Sequence, residues 1–261
     1  MRHLIVLIFC VISVAGAGAP VKAEADRAQL LKETGVYATF AVFKASEQWW
    51  QMEPTVRAVA SADVKRILEK YADRLTADIY MIRGLSERAD ILVRIHSNEM
   101  IHNQNFLLDV MATNFGKHFK NVDTFNGITK ALNYVPDFPG DLKAELKTPP
   151  PQGNTYVIVV PIRKDAEWWI TAPDSRRNMM QEHTDATVAY LKSVKRKLYH
   201  SSGLDDWDFI TYFETSHLDD FNNLVTGLLQ VKENRHNRVF GDPLLLGTIR
   251  PLDEILEILA R

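Results

Sequence analysis

The sequence predicts an α+β fold in which two ferredoxin-like βαββαβ repeats form a dimeric α+β barrel, and three observations carry that reading. The chain matches itself at an offset of 119 residues: Trp49-Trp50 falls on Trp168-Trp169, Pro54 on Pro173, Gly84-Leu85 on Gly203-Leu204 and Ile91 on Ile210. An internal repeat of this kind outranks local propensity in setting the fold. Each half also shows strands of period-2 or continuous apolar pattern alternating with helices of 3.6-residue period, an order that suits helices on one face of an antiparallel sheet. Between the halves, FPGDLKAELKTPPPQGN at 138–154 is rich in Pro, Gly and charge and reads as a linker.

Taken in order, Met1-Arg2-His3 precedes an apolar run from Leu4 to about Gly16 and then small residues, the pattern of a secretory signal peptide over 1–25 with cleavage near 23–25. The run is too short for an ordinary membrane span. Cys10 is the only cysteine and would leave with that segment, so the exported chain would form no disulfide. The first half, 26–137, then offers a strand at 35–44, a helix at 54–73, strands at 77–83 and 90–97, a helix at 99–114 and a strand at 123–134. Val64, Ile67, Leu68 and Tyr71 give the first helix its apolar stripe. The second half, 155–261, repeats the order with a strand at 155–164, a helix at 174–192, strands at 194–201 and 207–214, a helix at 216–231, a strand at 240–249 and a closing helix near 251–260. Each Gly-Leu pair sits where a hairpin needs a turn.

Composition excludes little but excludes it firmly. With 46% hydrophobic and 25% charged residues the chain is ordinary globular material, and a formal charge of -2 gives no electrostatic basis for binding nucleic acid. Metal-ligand spacings such as HExxH or CxxC are absent, and so are a nucleophile elbow and a phosphate-cradling glycine loop.

The repeat is broken at two polar positions. His183 corresponds to Val64 and Arg196 to Ala77, so the second half has gained a helix imidazole and a strand guanidinium where the first has small or apolar side chains. A continuous helix would separate them by about 20 Å. A change to strand at Val194 instead lets Arg196, Leu198 and His200 share a face with Phe209, Thr211 and Phe213, opposite the helix. One histidine, one cation and an apolar wall suit a cofactor that brings its own metal, such as haem. The same two residues also fit a solvated helix and strand surface, and the residues alone leave both readings open.

The runs KDAEWW (164–169), MQEHT (180–184), VKRKLYHSSGLDD (194–206), DFITYFET (208–215) and QVKENRHNR (230–238) closely resemble the chlorite dismutases. The likeness continues more weakly through GVYATFAVF, RGLSERADILVRIHS and ITKALNYV in the first half. The resemblance implies a haem b enzyme with one haem per subunit, exported to the periplasm, assembled as a homopentamer, and converting chlorite to chloride and dioxygen. It implies that His183 is the axial ligand to haem iron, that Glu233 holds the other ring nitrogen, and that Arg196 is the catalytic distal cation. Leu198, Thr211 and Phe213 would form the distal wall, and Lys164, Trp168, Trp169 and Tyr134 would lie around the haem edge and propionates. Some relatives carry lysine where this chain has His102, which puts one cofactor contact from the first half in doubt.

Four other readings stand beside this one. Coproporphyrin-haem decarboxylases share the fold and the proximal histidine but lack the distal arginine. Dye-decolourising peroxidases use an acidic distal residue, and DFITYFET offers none on the face proposed to line the pocket. An exported haem-binding, peroxidase-like or sensor protein without chlorite turnover is the third alternative, and a haem-free structural or partner-binding barrel is the fourth.

Overall fold

The structure is a computed structural model that describes residues 24–131, 153 and 155–261. Tyr134, all of the linker but Gly153, and nearly all of the expected leader lie outside the described residues. No described helix is long and apolar enough to cross a membrane.

The first half runs α1 (Arg27–Lys32), β1 (Tyr37–Ala45), α2 (Glu47–Gln51), α3 (Pro54–Tyr71), β2 (Leu75–Met81), β3 (Ile91–Ser97), α4 (Met100–Ala112) and β4 (Phe119–Ile128). The second runs β5 (Tyr156–Lys164), α5 (Ala166–Ile170), α6 (Pro173–Thr187), β6 (Val194–His200), β7 (Phe209–Thr215), α7 (Leu218–Leu228), β8 (Asn237–Phe240), β9 (Leu245–Thr248) and α8 (Leu252–Ala260). The strand order β7-β6-β4-β1-β3-β2-β9-β5 is closed by pairing of β7 with β5, and β8 extends from β5. Within the halves the orders β4-β1-β3-β2 and β9-β5-β7-β6 are the same ferredoxin-like arrangement, so the duplication read from the sequence is a duplication of topology. Short contacts join them, Ile128 opposite His200 and Met81 opposite Thr248.

Local chemistry repeats as well. Ser46 and Asp165 occupy the same position in the two halves and accept hydrogen bonds from the backbone N–H of Trp49 (3.3 Å) and Trp168 (2.8 Å), capping the short helices that carry the tryptophan pairs. Pro54 and Pro173 open α3 and α6 at the first helical position, where a missing N–H costs nothing. Gly84 and Gly203 hold φ of 89° and 80° in the hairpin turns, a conformation that disfavours any Cβ.

Two strands differ by more than two residues from their expected bounds. Expected at 123–134, β4 starts at Phe119 because it pairs with β1 back to Ala45, and among the described residues its pairing ends at Ile128. Expected as one strand, 240–249 holds only β9, at Leu245–Thr248, separated by a turn with Gly241 at φ 71° from β8, which ends at Phe240. The short helices α2 and α5 were not legible as helices at five residues each.

The barrel interior packs Phe40, Leu92, Phe125, Val157, Tyr199 and Tyr212. Arg94, 1% exposed, pairs there with Asp78 at 2.8 Å, and Tyr80 and Tyr212 share a hydrogen bond of 2.8 Å across the halves. On the outside, α3 and α4 cover the first sheet and α7 the second, through Phe221 and Leu224. The last helix crosses over: Ile255, Leu256 and Leu259 of α8 belong to the core of the first half.

Candidate functional site

The outward face of β6 and β7 carries the residues singled out from the sequence, in register: Arg196 opposite Phe213, Leu198 opposite Thr211 and His200 opposite Phe209. Phe213 is buried and packs edge-on against Phe221 of α7 at 5.1 Å. Thr211 donates its hydroxyl proton to the Val160 carbonyl at 2.9 Å, so it adds little polarity to this wall. Leu198 is half-buried. Arg196 reaches towards α6, its Nη1 donating to Thr187 Oγ1 at 3.1 Å. Thr187 in turn donates to the His183 carbonyl at 3.0 Å, so strand and helix meet one turn beyond the histidine.

His183 stands on the inward face of α6. Its Nδ1 lies 3.2 Å from Glu233 Oε2, in the short turn Lys232–His236 that follows α7. A carboxylate there fixes Nδ1 as the protonated nitrogen and leaves the Nε2 lone pair for a ligand bond. Burial, reinforced by the charges of Arg196 and Lys164, pushes the imidazole down to about 3, so it is neutral at physiological pH. Neutral imidazole is the form that ligates a metal.

Behind this pair sits a second charge. Lys164 Nζ forms a close ion pair with Glu233 Oε1, the two side chains being 4% and 6% exposed. It also donates to Asn237 Oδ1 at 2.7 Å and lies 4.5 Å from the centre of the Trp168 ring. Burial pulls Lys164 down to about 7 against Asp165 and Asp208, while direct contact with Glu233 favours its charged form. Trp168 is buried, with the His236 ring 5.7 Å away. Trp169 points elsewhere: it is 46% exposed and stacks on Phe209 at 6.1 Å, at the far end of the face shared with His200. His102 lies on α4 of the first half, its Nδ1 buried without a hydrogen-bond partner among the described residues. Two residues that sequence reasoning missed are Thr187 and Asn237. The spacing Glu233, His236, Asn237 within one tight turn was the available signal for the second.

Comparison of the two halves shows what the face of α6 is suited to do. In α3 the residues Arg57, Ala60, Ser61, Val64, Ile67 and Tyr71 are all buried, covered in large part by α8. Their counterparts 119 residues on, Arg176, Met179, Met180, His183, Ala186 and Tyr190, are all only half-buried. The second half therefore presents a ligand-competent histidine on an open helix face, opposite a wall of Leu198, Thr211 and Phe213 with one arginine.

Fold and site together define a dimeric α+β barrel of duplicated ferredoxin-like halves, of which only the second carries this imidazole. The family model described as chlorite dismutase matches residues 57–250, and the chain belongs to that family. It is 38% identical over 238 residues to the chlorite dismutase of Ideonella dechloratans, covering 90% of this chain and 84% of that one. The structure of chlorite dismutase from Candidatus Nitrospira defluvii in complex with imidazole superposes with a TM-score of 0.86 at 49% identity, over 91% of this chain and 100% of that one. A coproheme decarboxylase of Mycolicibacterium smegmatis is 27% identical over 162 residues, 61% of this chain and 67% of that one. A heme-binding protein from Thermus thermophilus shares the fold, with a TM-score of 0.74 at 17% identity over 88% of this chain and 96% of that one.

Proposed function

We propose that this chain decomposes chlorite to chloride and dioxygen at a haem b, one per subunit, held by His183. The observation that carries this reading is His183, anchored through Nδ1 by Glu233, on a helix face that stands open towards Arg196. The donor set fits the group: one imidazole nitrogen for iron, an apolar wall for the macrocycle, and a cation for an anionic substrate. When bound, the haem supplies the redox chemistry at iron that separates chlorine from oxygen.

The protein residues do the rest. Glu233 holds the His183 ring in one tautomer and raises its donor strength, and Lys164 balances the buried carboxylate. Arg196 attracts the chlorite anion and would hold chlorine-containing anions in the pocket beside the cofactor, since its planar guanidinium stays charged at every working pH. Leu198 and Phe213 limit water around that ion pair, which strengthens it. Trp168 packs beside Lys164 on the histidine side, while Trp169, at the exposed end, bounds the cofactor edge. Tyr134 belongs to the same reading as a propionate contact. The leader-like segment 1–25 supports export to the periplasm, and assembly as a homopentamer is part of the same reading.

The test is oxygen release on a Clark electrode after chlorite is added to the haem-loaded protein, with chloride assayed in parallel. One dioxygen and one chloride per chlorite is the expected result. A haem-loaded protein that binds chlorite and releases no oxygen would refute the reaction and move the function to an exported peroxidase-like or sensor protein.

A further inference from the structure

In the first half, two donors have a defined task. Trp49 Nε1 donates to the Leu259 carbonyl at 2.9 Å and Arg57 Nε to the Ala260 carbonyl at 3.2 Å, with Arg57 Nη2 on the Arg261 carbonyl. These bonds receive the end of α8, whose Ile255, Leu256 and Leu259 lie over α3. Arg57 is 5% exposed, and its Nη1 also binds the carbonyls of Trp50 (3.1 Å) and Met52 (2.6 Å).

The second half keeps both donors. Helices α3 and α6 begin at prolines 119 residues apart, so the helix registers coincide, and the counterparts of Trp49 and Arg57 are Trp168 and Arg176. Arg176 stands two turns before His183 on the same face of α6, about 10 Å along the axis. It is half-buried, and its guanidinium makes no hydrogen bond or ion pair among the described residues, nor does the Trp168 indole N–H. A guanidinium partly withdrawn from water beside an open face favours a planar anionic partner over bulk solvent. In the first half the protein's own carbonyl oxygens meet that need; no described element does so in the second.

We infer that Arg176 binds a carboxylate of the molecule carried on the His183 face of α6. This rests on the haem reading, under which the carboxylate is a haem propionate. Arg176 then anchors the cofactor at one edge while His183 fixes its centre, and it takes no part in the reaction.

The test measures cofactor release from the full-length protein, by transfer to excess apomyoglobin followed at the Soret band. Wild type, Arg176→Gln and Arg176→Lys are each loaded with haem or with haem dimethyl ester, in which both carboxylates are uncharged. Arg176→Gln is expected to lose haem about 10-fold faster, with Arg176→Lys intermediate. With the dimethyl ester, wild type and Arg176→Gln should release at equal rates. Equal haem release by wild type and Arg176→Gln, or a Gln effect that persists undiminished with the ester, would overturn the assignment and leave the haem reading standing. Wild-type protein that retains neither cofactor would end the haem reading and the Arg176 assignment with it.

Discussion

Glu233 has two partners, and they predict two separable consequences of its loss. Glu233→Gln keeps an oxygen for His183 Nδ1 but removes the charge facing Lys164, and both side chains of the ion pair are almost fully buried. Breaking such a pair from one side costs about 3–5 kcal/mol, whereas removing both charges is close to neutral. For a chain of this size that amounts to roughly 10 °C in melting temperature. Burial already pulls Lys164 down to about 7, so in Glu233→Gln it sheds its proton above that pH. The folded variant then binds fewer protons than its unfolded chain, and its deficit shrinks as pH rises towards 10. Haem retention should follow a different rule, because it depends on the carboxylate at His183: a loss of about 10- to 100-fold is expected for an outer partner of a metal ligand. Thermal melts of the haem-free protein and haem transfer to apomyoglobin separate the two effects. The double variant Glu233→Gln/Lys164→Met should melt near wild type and still lose haem quickly. Recovery of both properties together, or of neither, would refute the division of labour.

Replacing Arg196 by Gln should lower dioxygen released per chlorite and hasten bleaching of the haem, because the retained anion escapes; unchanged yield and total turnover would remove that role. For His183→Ala, haem content should fall and added imidazole should restore part of the Soret band, while full haem content without imidazole would sink the ligand assignment. His96 is fully buried and held neutral well below 6.5 by burial and by the charges of Arg94 and Lys197, so only the unfolded chain takes up its proton as pH falls below that value. Stability should therefore be full above pH 6.5 and decline by up to about 1.4 kcal/mol per pH unit below it; denaturant melts of His96→Gln that show the wild-type slope would refute this.

The fold was legible because the chain states it twice. Paired punctuation at Trp49-Trp50, Pro54 and Gly84 and their counterparts marks the same turns and helix starts, and those are local signals. His183 and Arg196 stood out for the opposite reason, as breaks in the repeat, and the strand register then placed Arg196 opposite Phe213 as alternation required. What was not legible depends on contacts between distant segments. Lys164 was expected at the cofactor edge, yet its ammonium lies against Glu233, which no local pattern encodes. The destination of α8 was equally hidden: it follows from β9 pairing with β2, which delivers the chain end to the other half.

That delivery explains why two copies of one fold carry one candidate site. The inward face of α3 is sealed by α8, with Val64 against Ile255, Leu256 and Leu259 in a single core, and α3 has no histidine to hold a metal. The matching face of α6 gains less from folding alone, since each of its six counterparts remains half-buried and apolar burial is worth roughly 25 cal/mol per Å². A cofactor that binds this face stabilises the second half by mass action and leaves the first unchanged. Amide hydrogen exchange is therefore expected to be faster in α6 than in α3 when haem is absent, with haem slowing α6 and leaving α3 and α8 as they were. Equal protection of α3 and α6 without haem would mean that the open face carries no energetic deficit, and the physical case for a cofactor there would have to rest on His183 alone.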